Sequence, residues 1–416
     1  MKKNNTNQNL DLTADEINFI LSPKAIRDRA EKIFQLAKSG QTSFQYHPEK
    51  FQPTVDYVLQ VIHKNYPDLN IPFHSQWGHF RAGKVDRSAQ LDQHIKSETA
   101  LEKARIKLDL VITSVLLDAG AGAEWKYFEE SSKKYFQRSE GLGVASYYMF
   151  CSGIMSEDRK TWQADQQGLR KVQVDDLKKY FQVTKENPLV GVEGRVQLLN
   201  NLSKAMDNKT IFPMGRPGSI IDYLSEKYGQ QIPATGVLRA VLDGLGSIWP
   251  GRLIANGVNL GDVWNYDGWG EQTLTKPVDA LVPIHKLSQW MTYSLIEPIM
   301  EAGFEVTGVD QLTGLAEYRN GGLLLDAGLI SFRNPADAVK SWTPDSDLII
   351  EWRALTVYLL DQIGQAVQKS LNKSVQEFPL AKVLEGGTWW AGRFLAQEKR
   401  PGGTPPLNIV SDGTVF

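Results

Sequence analysis

The chain has 416 residues, 42% hydrophobic and 23% charged, a balance that excludes a disordered chain, a collagen or a coiled-coil rod. Forty-six Lys and Arg against 48 Asp and Glu leave a net charge of −2. That argues against a general nucleic-acid binder, whose affinity rests on neutralising phosphates. One cysteine, Cys151, allows no intrachain disulfide and no cysteine-based metal cluster.

Residues 1–12 are polar and rich in Asn and Lys, and are expected to be a disordered tail. Residues 13–416 are expected to form one compact, two-lobed body with a lobe boundary near 185. The basic start has no apolar core behind it, so it does not read as a secretory signal. Asp109 and Asp118 interrupt the most apolar stretch, which is too short to span a bilayer. The expectation is a soluble, cytoplasmic protein with no membrane partner.

From Thr13 the pattern is helical. Ser22-Pro23 reads as a helix start, with Ile26, Ala30, Ile33, Phe34 and Ala37 on one face and Gly40 as the stop. A helix follows over 54–64, then one long helical signal over 89–117 carrying Leu101, Ala104, Leu108, Val111, Ile112 and Val115. Further helices are predicted over 174–181, 193–206, 219–227, 235–245, 285–301 and 350–369. Strand-like alternation is scarce, the best case being LLLDAGLISF, with one hairpin at most. Residues 249–283 read as loop and the tail from Glu398 as loop or edge. The fold class is therefore mainly α.

Phosphate loops of the GxxxxGK[ST] type are absent, as are GxGxxG, HExxH, CxxC and GxSxG. His74 and His79 are close but have no ligand partner at helical spacing. No cofactor and no metal are expected, which leaves catalysis by carboxylates and cations, or no catalysis.

Six segments carry candidate site residues. In HKLSQWMTY, His285 precedes Lys286, Gln289, Trp290 and Tyr293, which fall at i, i+3, i+4 and i+7 on one helix face. An amphipathic helix with packed aromatics and a snorkelling Lys286 accounts for the same pattern. In LAEYRNGG, Glu317, Tyr318 and Arg319 stand before Asn320-Gly321-Gly322, a turn signal that projects an acid, a phenol and a guanidinium together. A structural Glu–Arg pair fixing that turn is the competing reading. Glu351 and Arg353 flank Trp352 at the opening of a helix and point to different sides. The loop DVWNYDGWG offers Trp264 and Tyr266, whose rings suit a planar group such as a base, urea or amide, or simply pack on a core. Arg81, in HFRAGKVDR, and Arg216, in RPGS before a helix start, are candidate anion ligands.

Long segments in this order carry a resemblance. PLVGVEGRVQLL, HKLSQWMTYSL, LTGLAEYRNGGLLLDAG and EWRALTV, with SVLLDAGAGAEW and RSEGLGVASYYMF, look like the uracil-catabolism family of the Urc-four/Urg-three type. The resemblance runs over nearly the whole chain from about residue 15. It implies an enzyme acting downstream of a GTP-cyclohydrolase-like protein that opens the pyrimidine ring. The implied substrate is a ring-opened pyrimidine nucleoside or nucleotide, ribosylurea or its phosphate.

A more distant resemblance is to the queuosine-nucleotide salvage glycosylases, which carry Lys-Arg-Ala-Gln, Asp-Tyr-Arg and Glu-Ile-Arg segments. Here the corresponding segments are Lys286-Leu287-Ser288-Gln289, Glu317-Tyr318-Arg319 and Glu351-Trp352-Arg353. The departures are Glu for Asp at 317 and Leu for Arg at 287. This resemblance implies a two-lobed helical fold similar to the helix-hairpin-helix DNA glycosylases. It also implies catalytic roles for Lys286 and Glu317. Should Glu317 fail as the carboxylate, Glu351, Asp310 and Asp262 are the next to consider. The implied activity is an N-glycosidase releasing urea from ribosylurea or its 5′-phosphate. The alternatives are another enzyme acting on the same intermediate, or a non-catalytic partner that channels it.

Overall fold

The computed structural model describes residues 8–118, 120–122, 124–249, 252–270 and 274–410. It is mainly helical, with only short strands of two to four residues among the described ones. Contacts divide the chain into two units. The first takes residues 1–74, 251–289 and 308–416; the second takes 75–250 and 290–307. The division therefore crosses the chain several times, and residue 185 lies inside the second unit.

In the first unit the helices Pro23–Lys38 and Asp347–Leu371 pack side by side. Ser22 caps the former through the Ala25 amide, with Pro23 in the first turn. Between them Phe34 stacks on Tyr358 at 4.2 Å, and Arg27 pairs with Asp361 at 2.8 Å. The helix Tyr318–Asp326 lies against Trp389–Lys399. Gly392 permits that approach, since a Cβ there would collide with the Arg319 carbonyl.

Several expectations need correction in this unit. The polar tail is ordered from Gln8, because Gln8–Leu10 pairs in parallel with Leu253–Ala255 and Leu12 is buried; residues 1–7 lie outside the described ones. Asn320-Gly321-Gly322 is not a turn. It forms the first part of the helix Tyr318–Asp326, and its glycine at 321 makes room for the Trp352 ring. Of LLLDAGLISF only Ile330–Phe332 is strand, antiparallel to Phe44–Tyr46. The stretch read as loop holds the strands Val263–Asn265 and Leu281–Pro283, paired antiparallel. That pair runs directly into the helix Lys286–Glu301.

In the second unit Ala100–Leu117 packs against Arg138–Cys151, beside the hairpin Lys126–Glu129 and Lys134–Gln137. The long helical signal over 89–117 is two helices, Arg87–His94 and Ala100–Leu117, because Asp86 and Thr99 each cap a start. Asp109 is wholly buried on the second of these and accepts from Arg216 Nη2 at 2.7 Å and the Gly218 amide at 2.7 Å. Burial pushes the Cys151 thiol up to about 12, so it is no nucleophile at neutral pH. Among the described residues, no helix is long and apolar enough to cross a membrane.

Candidate functional site

The first unit gathers the site around Asp262. A left-handed Gly261 (φ 70°) turns the chain just before it, and the strand Val263–Asn265 follows. The Asp262 carboxylate takes both Arg353 amino groups at 2.7 Å each, the Trp264 indole N–H at 2.7 Å and the Lys286 amide at 3.0 Å. Its main-chain carbonyl accepts from the Ile284 and His285 amides. One side chain thus fixes the entry to the Lys286 helix and the guanidinium of a residue far along the chain. Burial alone would raise this carboxyl, but the Arg353 charge and the Lys286 amide outweigh it and hold Asp262 well below the usual range.

Arg353 also acts on the Tyr318 phenol through its charge, although burial dominates there and pushes Tyr318 up to about 12. The Lys286 amide and the Arg353 guanidinium thus meet at Asp262, with the Tyr318 phenol within reach of the Arg353 charge. Glu317 precedes the helix Tyr318–Asp326 and caps it. One of its oxygens accepts from the Arg319 amide and the other from the Asn320 amide, both at 2.6 Å. The cap holds the carboxylate in one orientation and leaves it half-buried. Arg319 is half-buried and donates to the Gly403 carbonyl at 2.8 Å.

His285 immediately precedes the Lys286 helix, and its backbone is left-handed (φ 49°). His285 is fully buried, and its Nε2 lies 3.0 Å from the Ile20 carbonyl oxygen. A carbonyl only accepts, so Nε2 carries the proton and Nδ1 presents a lone pair. Burial lowers the imidazole below its ordinary range, against the pull of Asp262, so it is neutral at neutral pH. One turn on, Gln289 is also fully buried, and neither its Oε1 nor its Nε2 has a hydrogen-bond partner among the described residues. A buried polar group left in that state costs about 1–3 kcal/mol.

Other expected ligands have framework roles. Glu351 is buried and accepts from the Tyr266 hydroxyl at 2.8 Å and the Ser43 amide at 2.7 Å. Burial raises its carboxyl, and those two hydrogen bonds offset part of the rise. Trp264 and Tyr266 are buried, and Tyr266 meets Trp269 edge-to-face at 82°, so this loop packs rather than sandwiching a planar ligand. Trp290, Tyr293, Arg81 and Arg216 belong to the second unit. There Trp290 donates to Gln76 at 3.0 Å and Tyr293 is fully buried. Arg216 is neutralised by Asp109 and Glu102, which suits a structural cation rather than a phosphate ligand. Arg81 is exposed, with a long 3.4 Å contact to Ser88. The residue that reading the sequence undervalued is Asp262. A Gly-Asp step before two apolar residues, inside a polar loop, was its only local signal.

Residues 19–416 match the model of a family described as a protein of unknown function, DUF1688. Two curated relatives are similar over their whole length. "Uracil catabolism protein 4" of Lachancea kluyveri is 36% identical over 442 aligned positions, covering 97% of this chain and all of the relative. "Protein urg3" of Schizosaccharomyces pombe is 37% identical over 416 positions, again covering 97% of this chain and all of the relative.

Proposed function

The chain belongs to the DUF1688 family, and on that premise we propose that it is an N-glycoside hydrolase of uracil catabolism. Its substrate is ribosylurea or the 5′-phosphate, and its products are urea and ribose or ribose 5-phosphate. It works downstream of a GTP-cyclohydrolase-like protein that opens the ring. The relatives' names support the role in uracil catabolism, and the reaction is our reading of the site. The observation that supports it is the buried Asp262–Arg353 pair, which holds the start of the Lys286 helix beside a guanidinium whose charge reaches Tyr318.

The chemistry follows from the bond to be broken. Cleaving C1′–N leaves the electron pair on urea nitrogen and positive charge on the sugar. Urea leaves poorly as an anion, so Lys286, or a water that it holds, supplies a proton to the departing nitrogen. Glu317, fixed by two main-chain amides, faces the developing charge and takes a proton from the water that bonds to C1′. Water is consumed, and no oxidant or nucleotide is needed. Purified protein incubated with ribosylurea and with its 5′-phosphate is the test. Urea released from either, with the matching sugar, is the expected result; urea from neither overturns the reading.

A further inference from the structure

The polar atoms at the start of the Lys286 helix have a pattern of their own. Gln289 is fully buried, with one acceptor and one donating amino group that meet no partner among the described residues. His285, one turn earlier and equally buried, adds an Nδ1 with no such partner. Its Nε2 proton is committed to the Ile20 carbonyl, so Nδ1 can only accept. The Gln289 carboxamide can rotate by half a turn, which exchanges its oxygen and nitrogen. The inventory survives the rotation: two acceptors and one donating group. A Cβ on Gly261 would come within ordinary contact distance of that Nδ1, at 3.9 Å, so the imidazole edge faces a residue without a side chain.

We infer that His285 and Gln289 are specificity-determining residues that read a ureido group, the complement of that inventory. A monosubstituted urea presents two nitrogens that donate and one carbonyl that accepts. Its N–H groups fall to His285 Nδ1 and Gln289 Oε1, and its carbonyl takes the Gln289 amino group. An intact pyrimidine edge offers two carbonyls about one N–H, and sets acceptor against acceptor. The pair therefore admits the ring-opened compound and rejects the closed ring. The left-handed backbone at His285 fits this role, since conformations of that kind concentrate where a side chain must be aimed.

This rests on the ureido glycoside proposed above, and its test does not require turnover. In the Glu317→Gln protein, calorimetry measures the affinity of ribosylurea and of N-ribosylacetamide, which replaces the terminal amino group by methyl. The expected preference for ribosylurea is at least about tenfold, because the analogue leaves a buried acceptor unmet. Adding Gln289→Met should bring the two affinities to within about threefold. Equal affinities while Gln289 is present overturn the inference, whether or not the methionine variant folds. So does a preference that survives Gln289→Met, or no binding of either compound at millimolar concentration. Ribosylurea bound with preference but not cleaved by the unmodified protein keeps the inference and sinks the hydrolase reading. Urea release without the preference does the reverse.

Discussion

Arg353 and Asp262 meet through two parallel hydrogen bonds of 2.7 Å, with the guanidinium wholly buried. Removing one partner of such a pair strands the other in a low-dielectric interior. Asp262→Ala should lower unfolding free energy by about 3–5 kcal/mol, and adding Arg353→Met should restore part of it. Urea melts of the two variants check this. A double variant no more stable than the single one would mean that the stranded charge is not the cause.

The same pair sets a pH dependence. The Asp262 carboxyl is depressed in the folded state, so its stabilisation is present above the unfolded value, about 3.9. It is lost as pH falls through the lower folded value. The stability gap between wild type and Asp262→Ala should be flat from neutral pH to about 5 and close below about 4. Glu351 has the opposite sign, since burial raises it. Ionising it opposes folding as pH rises past the unfolded value, about 4.3. Glu351→Gln should therefore gain on wild type between acid and neutral pH.

In the proposed mechanism Glu317 has a catalytic duty beside its observed role as helix cap, and substitution separates the two. Glu317→Gln removes the charge that faces the sugar but keeps one acceptor for the cap. We expect kcat to fall at least about 100-fold, with a stability loss below about 1 kcal/mol. Glu317→Asp keeps the cap and retains partial activity. A Glu317→Gln rate above about a third of wild type, a loss under about 0.7 kcal/mol, would remove Glu317 from the chemistry.

Lys286 reaches Asp262 through its main-chain amide, a contact that any residue but proline keeps. Lys286→Met should therefore leave the melting temperature near wild type while kcat drops at least about 100-fold. A large fall in melting temperature would assign the ammonium to the framework instead.

With the 5′-phosphate as substrate, Arg319→Ala should raise KM by the worth of a charge-assisted hydrogen bond, about 1.5–3 kcal/mol. Arg81→Ala should leave KM within about twofold, since an exposed cation adds little. Steady-state kinetics on both variants decide between the two arginines.

How much of this was legible from residues alone depends on distance. The helices Pro23–Lys38 and Asp347–Leu371 show their stripes because their apolar positions repeat locally. Arg138–Cys151 was hidden because Gly141 and Gly143 weaken the pattern. Both are small for a tertiary reason: a Cβ on Gly143 would lie 2.6 Å from that of His79, and one on Gly141 would press on the Phe136 carbonyl. Asn320-Gly321-Gly322 was misread likewise, since Trp352 rather than a turn requires the glycine. At the site, the order of the Lys286, Glu317 and Glu351 segments was visible, whereas Asp262 stood only as a fallback carboxylate and its pairing was not visible. Its partner Arg353 is 91 residues away, and no periodicity marks a short acid in a loop. Nor could spacing reveal that Trp264 and Tyr266 turn their polar atoms inward onto Asp262 and Glu351.

The pairing of Gln8–Leu10 with Leu253–Ala255 has a consequence for how the chain is made. The first strand leaves the ribosome long before its partner exists. At cellular synthesis rates, the wait is on the order of ten to fifty seconds. Leu12, buried in the finished protein, stays uncovered through that interval. Asp262 in turn must await Arg353, so the site is assembled only when synthesis is nearly done. A ribosome-bound fragment ending near residue 340 should hold its second unit's helices yet bind no ureide.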